Sequence, residues 1–111
     1  MPKVFVTQEN HRLNYSDAER FGEVVFLTAR EYSPNANSKR NEMIEEEIYE
    51  ALSKFDPDED SILLSGDPII MALAFHQAAD IPGRDRCEDL TISLLKWDNQ
   101  TRRYNQVRVT V

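Results

Sequence analysis

Ser61 to Ile81, SILLSGDPIIMALAFHQAADI, constrains this chain more than any other stretch. Residues 61–65 have the length and apolar content of a buried strand, and they meet a Gly-Asp-Pro turn that opens an almost wholly apolar segment of helix length. Asp67 is placed to cap that helix. Pro68 is placed to start it, because proline lacks the amide that would be orphaned there. Pro82-Gly83 ends it. A helix apolar on nearly all sides is expected to be covered from most directions, so the rest of the chain must supply that cover.

Strand patterns recur on both sides. Lys3–Thr7 (KVFVT) and Glu23–Ala29 (EVVFLTA) are rich in β-branched and aromatic residues, and the second is expected to be covered on both faces. Residues 8–15 are polar and patternless, a loop. Ser16-Asp17-Ala18-Glu19 fits a capping box and Gly22 can stop the short helical turn that follows. Glu42–Phe55 is amphipathic, with Ile44, Ile48, Ala51, Leu52 and Phe55 on one stripe. Leu90–Trp97 and Arg103–Val111 read as two strands of a hairpin around Asp98–Arg102, with the last valines on the buried face of an edge strand. The order β, helical turn, β, α, β, α, β, β predicts a single α/β domain over residues 1–111. Its sheet is mixed but largely parallel, of about five strands, with two main helices and a C-terminal antiparallel hairpin. Ile62–Leu64 is expected inside the sheet, with Glu23–Ala29 parallel to it.

A chain of 111 residues has room for one core. No apolar run approaches the roughly 18–20 residues of a membrane span. Met1-Pro2-Lys3 leads into VFV without a leader pattern, and Cys87 is the one cysteine, so a reducing cytoplasm is expected. Residues 42–60 carry nine acids against the single base Lys54, more than the whole net charge of −7. Phosphate backbones are repelled there, so nucleic acid is not expected except at the basic C-terminal hairpin.

The chemistry-bearing residues are sparse. His11 and His76 are the only histidines, and no HExxH, CxxC, G-x-S-x-G or phosphate-loop pattern is present. Asp56, Asp58 and Asp60 stand at the first, third and fifth positions of a possible calcium loop, but Ser61 replaces its glycine and Asp67 its final glutamate. No catalytic residue, metal or cofactor is therefore assigned. A small anionic ligand or nucleotide has one candidate site, where the loops 28–40 and 65–68 converge at the carboxyl ends of parallel strands: Arg30, Asn35, Asn37, Ser38, Lys39, Arg40, Ser65, Gly66 and Asp67. Asp67 puts a negative charge in that place, and Gly-Asp-Pro also serves simply as a strand-to-helix turn. An interaction surface has a second candidate, the hairpin residues Lys96, Trp97, Arg102, Arg103, Tyr104 and Arg108, where aromatic and basic side chains interleave. Cross-strand packing of Trp97 on Tyr104 accounts for the aromatics equally well.

The strand leading to Gly-Asp-Pro at a helix start, the closing LLKWDNQTRRYNQVRV and the GEVVFL strand together resemble small proteins of unassigned activity encoded by tailed bacteriophages. The resemblance implies a virus-encoded protein acting in a bacterial cytoplasm, and it transfers no activity. The resulting expectation is a non-enzymatic binding module whose partner is a host protein or a second copy, with a homodimer held by the hairpin. The alternative is a small-ligand or nucleotide-binding domain, a hydrolase included, using loops 28–40 and 65–68.

Overall fold

The computed structural model describes residues 1–35, 38–80 and 90–111. Five strands form one sheet: β1 (Lys3–Val6), β2 (Glu23–Phe26), β3 (Ser61–Leu63), β4 (Thr91–Asp98) and β5 (Arg103–Thr110). Their spatial order is β2-β1-β3-β4-β5, parallel throughout except for the antiparallel pair β4–β5. Helices α1 (Lys39–Leu52) and α2 (Pro68–Ala79) lie on one face, and a 3-10 helix, Ser16–Phe21, lies on the other. The expected mixed α/β sheet with its terminal hairpin is therefore present.

Alternation along the strands divides the core in two. Phe5, Ile62 and Ile92 point to the helices and meet Ile44, Ile48, Leu52, Ile70 and Ala74. Val4, Val6, Leu63 and Leu95 point the other way and meet Ala18 of the 3-10 helix and Tyr104 of β5. The thick layer and the thin layer follow from what the sequence offers: two helices of 14 and 12 residues against one of 6. Burying each of the large aliphatic side chains in the thick layer contributes about 1.5–3 kcal/mol.

Several local expectations are corrected. The Ser16–Glu19 capping box does not form: Ser16 N–H donates to Asn14 Oδ1, and no side chain caps the 3-10 helix. An Asx turn at Asn14 sets the chain's entry instead. β2 is covered on both faces only in part, by Val25 packed toward the helices and Val24 toward the 3-10 helix. It is the outer strand beside β1, half-buried, with Phe26 40% exposed. The same order explains why β2 is parallel to β3 but separated from it by β1. Helix α1 starts at Lys39, three residues before the amphipathic stripe, because Ser38 accepts the Arg40 N–H as N-cap. Helix α2 packs on the sheet and along α1, and among the described residues it leaves one stripe open, on which Ile69 is 49% exposed. In β5 the buried residue is Tyr104, while Val107 is 48% exposed, since an outermost strand is packed from one side. The charged connection around Cys87 lies outside the described residues, as does Asn37.

Gly22 is fixed by the approach of chain segments. At φ +151 it lies where a Cβ would come within 2.6 Å of Pro2 O, beside the Glu23 N–H to Pro2 O bond that starts the β1–β2 ladder.

Candidate functional site

The strand order reverses at β1. The chain leaves β1 for β2 across one face and leaves β3 for β4, through α2, across the other. In doubly wound sheets such a reversal opens a crevice at the carboxyl ends of the two strands, the usual ligand position. Here β1 delivers Thr7 and Gln8, and β3 delivers Ser65, Gly66 and Asp67.

These residues are mostly engaged with one another. Thr7 Oγ1 donates to Ser65 O (2.6 Å) and accepts the Ser65 N–H (2.9 Å), lacing the two strand ends together. Gln8 lies across Gly66, its Oε1 accepting the Asp67 N–H at 2.6 Å and its Nε2 donating to Arg30 O at 2.9 Å. Asp67 Oδ1 accepts the Ile69 N–H at 2.8 Å, and Pro68 has no N–H. The amides of residues 67 and 69, which would otherwise attract an anion, thus already have internal acceptors.

The rest of the first candidate set sits along the neighbouring loop. Arg30 Nε pairs with Glu47 Oε1 at 2.9 Å. Asn35 and Ser38 shape the entry to α1. Buried Asn41 pins that loop by accepting the Ser33 N–H and donating to the carbonyls of Ser33 and Asn35. Lys39 and Arg40 are exposed on the first turn of α1.

The second candidate set divides. Trp97 and Tyr104 oppose each other across β4–β5, ring centroids 4.9 Å apart at 66°, on the face of the 3-10 helix. Arg108 shares that face at the position opposite Ser93, Lys96 alternates to the other, and Arg102 takes a left-handed conformation (φ 55) in the turn. Arg103 bonds to Asp17 of the 3-10 helix at 3.3 Å.

One recess joins the two sets. At the carboxyl ends of β3 and β4, about 250 Å³ is bordered by Ser65, Trp97 and Tyr104 and by Arg12, Leu13 and Asn14 of the loop after β1, with Leu63 and Leu64 also lining it. Leu13 and Trp97 stand 48% and 40% exposed at this opening. Trp97 Nε1 is turned aside to donate to Asn99 Oδ1. Ser65 Oγ shares a hydrogen bond with Tyr15 OH at 2.9 Å. Burial, reinforced by Tyr15 and Asp17, raises the Tyr104 phenol, so it stays protonated at neutral pH. Sequence reasoning passed over Arg12, Leu13 and Tyr15. The available signal was two large non-polar bodies, Leu13 and Tyr15, in an otherwise polar loop directly after a buried strand.

Asp17 holds this arrangement from outside. Its Oδ2 accepts the Tyr104 N–H at 2.8 Å, and Arg20 of the same helix donates to Tyr104 O. The Tyr104 amide chiefly, with the charges of Arg20 and Arg103 added, holds the Asp17 carboxyl below its ordinary 3.8 despite the opposing effect of burial. A lowered folded value means that the clamp's contribution is complete above 3.8 and is lost as pH falls through that lower value. Acid titration followed by the fluorescence of Trp97, the single tryptophan, is therefore expected to show loosening of the hairpin below that point. Asp17→Asn should melt lower at neutral pH and lose that acid step; an unchanged titration would contradict the clamp.

A shallow groove of about 380 Å³ on the opposite side runs past Glu42, Glu45, Glu46 and Glu50, bordered by Tyr49 and Gln77. Among the described residues no group of three or more His, Cys, Asp or Glu is arranged to hold a metal ion, and Asp60 is occupied by the amides of Lys3 and Asp56. No helix among them is long and apolar enough to cross a membrane.

No curated protein and no solved structure matches the chain. A family model does, over residues 2–111, which spans the sheet, both helices and every residue of the recess. On that match the chain belongs to the family described as Phage Pam3 gp32-like protein, and it is a phage-encoded protein.

Proposed function

We propose that this phage protein is a non-enzymatic interaction module of the host cytoplasm that takes an apolar side chain of a partner protein into the Trp97–Tyr104 recess. One observation carries the reading: loop, strand end and hairpin converge to hold two large apolar side chains half-exposed around a hollow of about 250 Å³. That volume is below the roughly 300–1,000 Å³ of small-molecule sites, but it suits one anchoring side chain of the kind that dominates protein interfaces. Arg12 at the rim adds a donor for a partner carbonyl or carboxylate. The residues bordering the recess supply Ser65 without an adjacent base, a weak nucleophile, which favours binding over catalysis. A nucleotide at the switch-point crevice is less favoured, because Gln8 and Asp67 themselves occupy the amides it would use.

The test is a photo-crosslinking residue at Leu13, activated in bacteria carrying the phage. A discrete adduct with one protein is expected, and Trp97→Asp should abolish it while the purified variant keeps its circular dichroism. Failure of Leu13 to crosslink, or an adduct indifferent to Trp97→Asp, would overturn the reading.

A further inference from the structure

The outer edge of β5 carries a pattern that its own chain uses only in part. Val111 N–H donates to Leu90 O at 2.7 Å, which fixes the phase of the β4–β5 ladder. Alternation then directs the backbone groups of Arg103, Asn105, Val107 and Val109 at β4, and those of Tyr104, Gln106, Arg108 and Thr110 outward. Tyr104 confirms this phase, because its outward amide and carbonyl are the groups held by Asp17 and Arg20. Past that clamp, Gln106, Arg108 and Thr110 face no further strand among the described residues. A second, independent feature lies on the helix-side face of the same segment. Val107 and Val111 are 48% and 58% exposed and Val109 is half-buried, a strip of three valines spaced two apart.

We propose that this edge pairs with a second copy of the chain, antiparallel about a two-fold axis at Val109, so that two five-stranded sheets become one of ten strands. Only registers that set outward residues against outward residues can form a ladder. An axis at Val107 drives the partner's Thr110 into the backbone groups of Tyr104 that Asp17 and Arg20 already hold. An axis at Arg108 sets that guanidinium directly opposite the partner's Arg108, a repulsive cross-strand pair. The axis at Val109 avoids both. Arg108 and Thr110 then exchange backbone bonds with the partner's Thr110 and the partner's Arg108, and the two arginines lie only on a diagonal. On the other face Val109 meets the partner's Val109, and Val107 meets the partner's Val111, so the exposed strip is covered by its own repeat. This self-matching spacing is what selects a second copy over an unrelated strand, and two-fold pairing is the commonest oligomer symmetry. A long edge strand without proline is otherwise an aggregation hazard, which such closure removes.

Arg108→Pro removes one outward amide while leaving the ladder to β4 intact. Light scattering of the wild-type chain is expected to give twice the 12.9 kDa of one copy, and Arg108→Pro should halve it with an unchanged circular dichroism spectrum. Leu13→Asp, at the recess, should leave the dimer mass unchanged, so this surface stands or falls separately from the recess. With Cys87 replaced by serine, Val109→Cys should oxidise to a linked dimer, since directly opposed residues of a non-hydrogen-bonded pair sit about 4.5 Å apart at Cα, within disulfide reach. Val107→Cys should not. A wild-type monomer at the highest attainable concentration, a folded Arg108→Pro dimer, or linkage through position 107 in place of 109 would each overturn the proposal.

Discussion

Leu63→Ala is expected to destabilise the protein by about 2–5 kcal/mol, the range for emptying a fully buried leucine site. Leu63 is 1% exposed and sits in the central strand, between β1 and β4. Its face of the sheet is the thinly covered one, where Val4, Val6, Ala18, Leu95 and Tyr104 are its buried neighbours. A single 3-10 helix clamped through Asp17 has limited freedom to sink into the void, so the cost should lie well above that of a collapsible site. The substitution also deepens the recess, whose lining includes Leu63. Urea unfolding measures the loss, and Ile62→Ala on the helix side provides the comparison. A loss below about 0.5 kcal/mol, the scale of a neutral surface change, would show that the thin layer is not a packed core.

Gly66→Ala is the second large effect. Gly66 has φ +85, a region that costs an L-residue about 1–2 kcal/mol. A Cβ there would lie 2.0 Å from Gln8 Oε1 and 2.7 Å from Gln8 Cβ, too close for the side chain to shift only at its tip. Gln8 must leave, breaking its bonds to the Asp67 amide and the Arg30 carbonyl. The combined expectation is about 2–4 kcal/mol, the sum of backbone strain and a part-buried amide deprived of its acceptor. Combining Gly66→Ala with Gln8→Gly separates the parts. The double variant should recover much of the collision and leave the φ strain, a coupling that denaturant melts resolve. Strict additivity would mean that Gln8 does not fill the crevice as described.

Local chemistry was legible where one short segment decides the outcome. Asp67 and Pro68 announce the start of α2 because capping and the missing proline amide act within one turn. The sheet's mixed character was readable because strands separated by helices must cross over, whereas Asp98 to Arg102 leaves room only for a hairpin. Ser16 and Glu19 show the limit. Their pattern fits a capping box, but Asn14 reaches the Ser16 amide first and Asp17 is drawn away to Tyr104, 87 residues distant. That pull is invisible to any window around Ser16.

The same distinction governs the candidate sites. Trp97 and Tyr104 could be paired from the hairpin alone, since their register depends on the turn between them. Ser65 could be placed at a strand end. Their meeting with Arg12 and Leu13 could not be foreseen, because it depends on β1 lying next to β3 and on the loop after β1 crossing the thin face. By itself, then, the sequence determined the elements, the cap of α2 and the antiparallel hairpin, all of which rest on hydrogen bonds and side-chain periodicities spanning a few residues. Tertiary structure alone decided the order β2-β1-β3-β4-β5, the filling of the crevice by Gln8 and the clamp of Asp17 on β5. Those depend on contacts between segments about 20 to 90 residues apart, where the free energy belongs to the packed sheet as a whole and no local pattern records it.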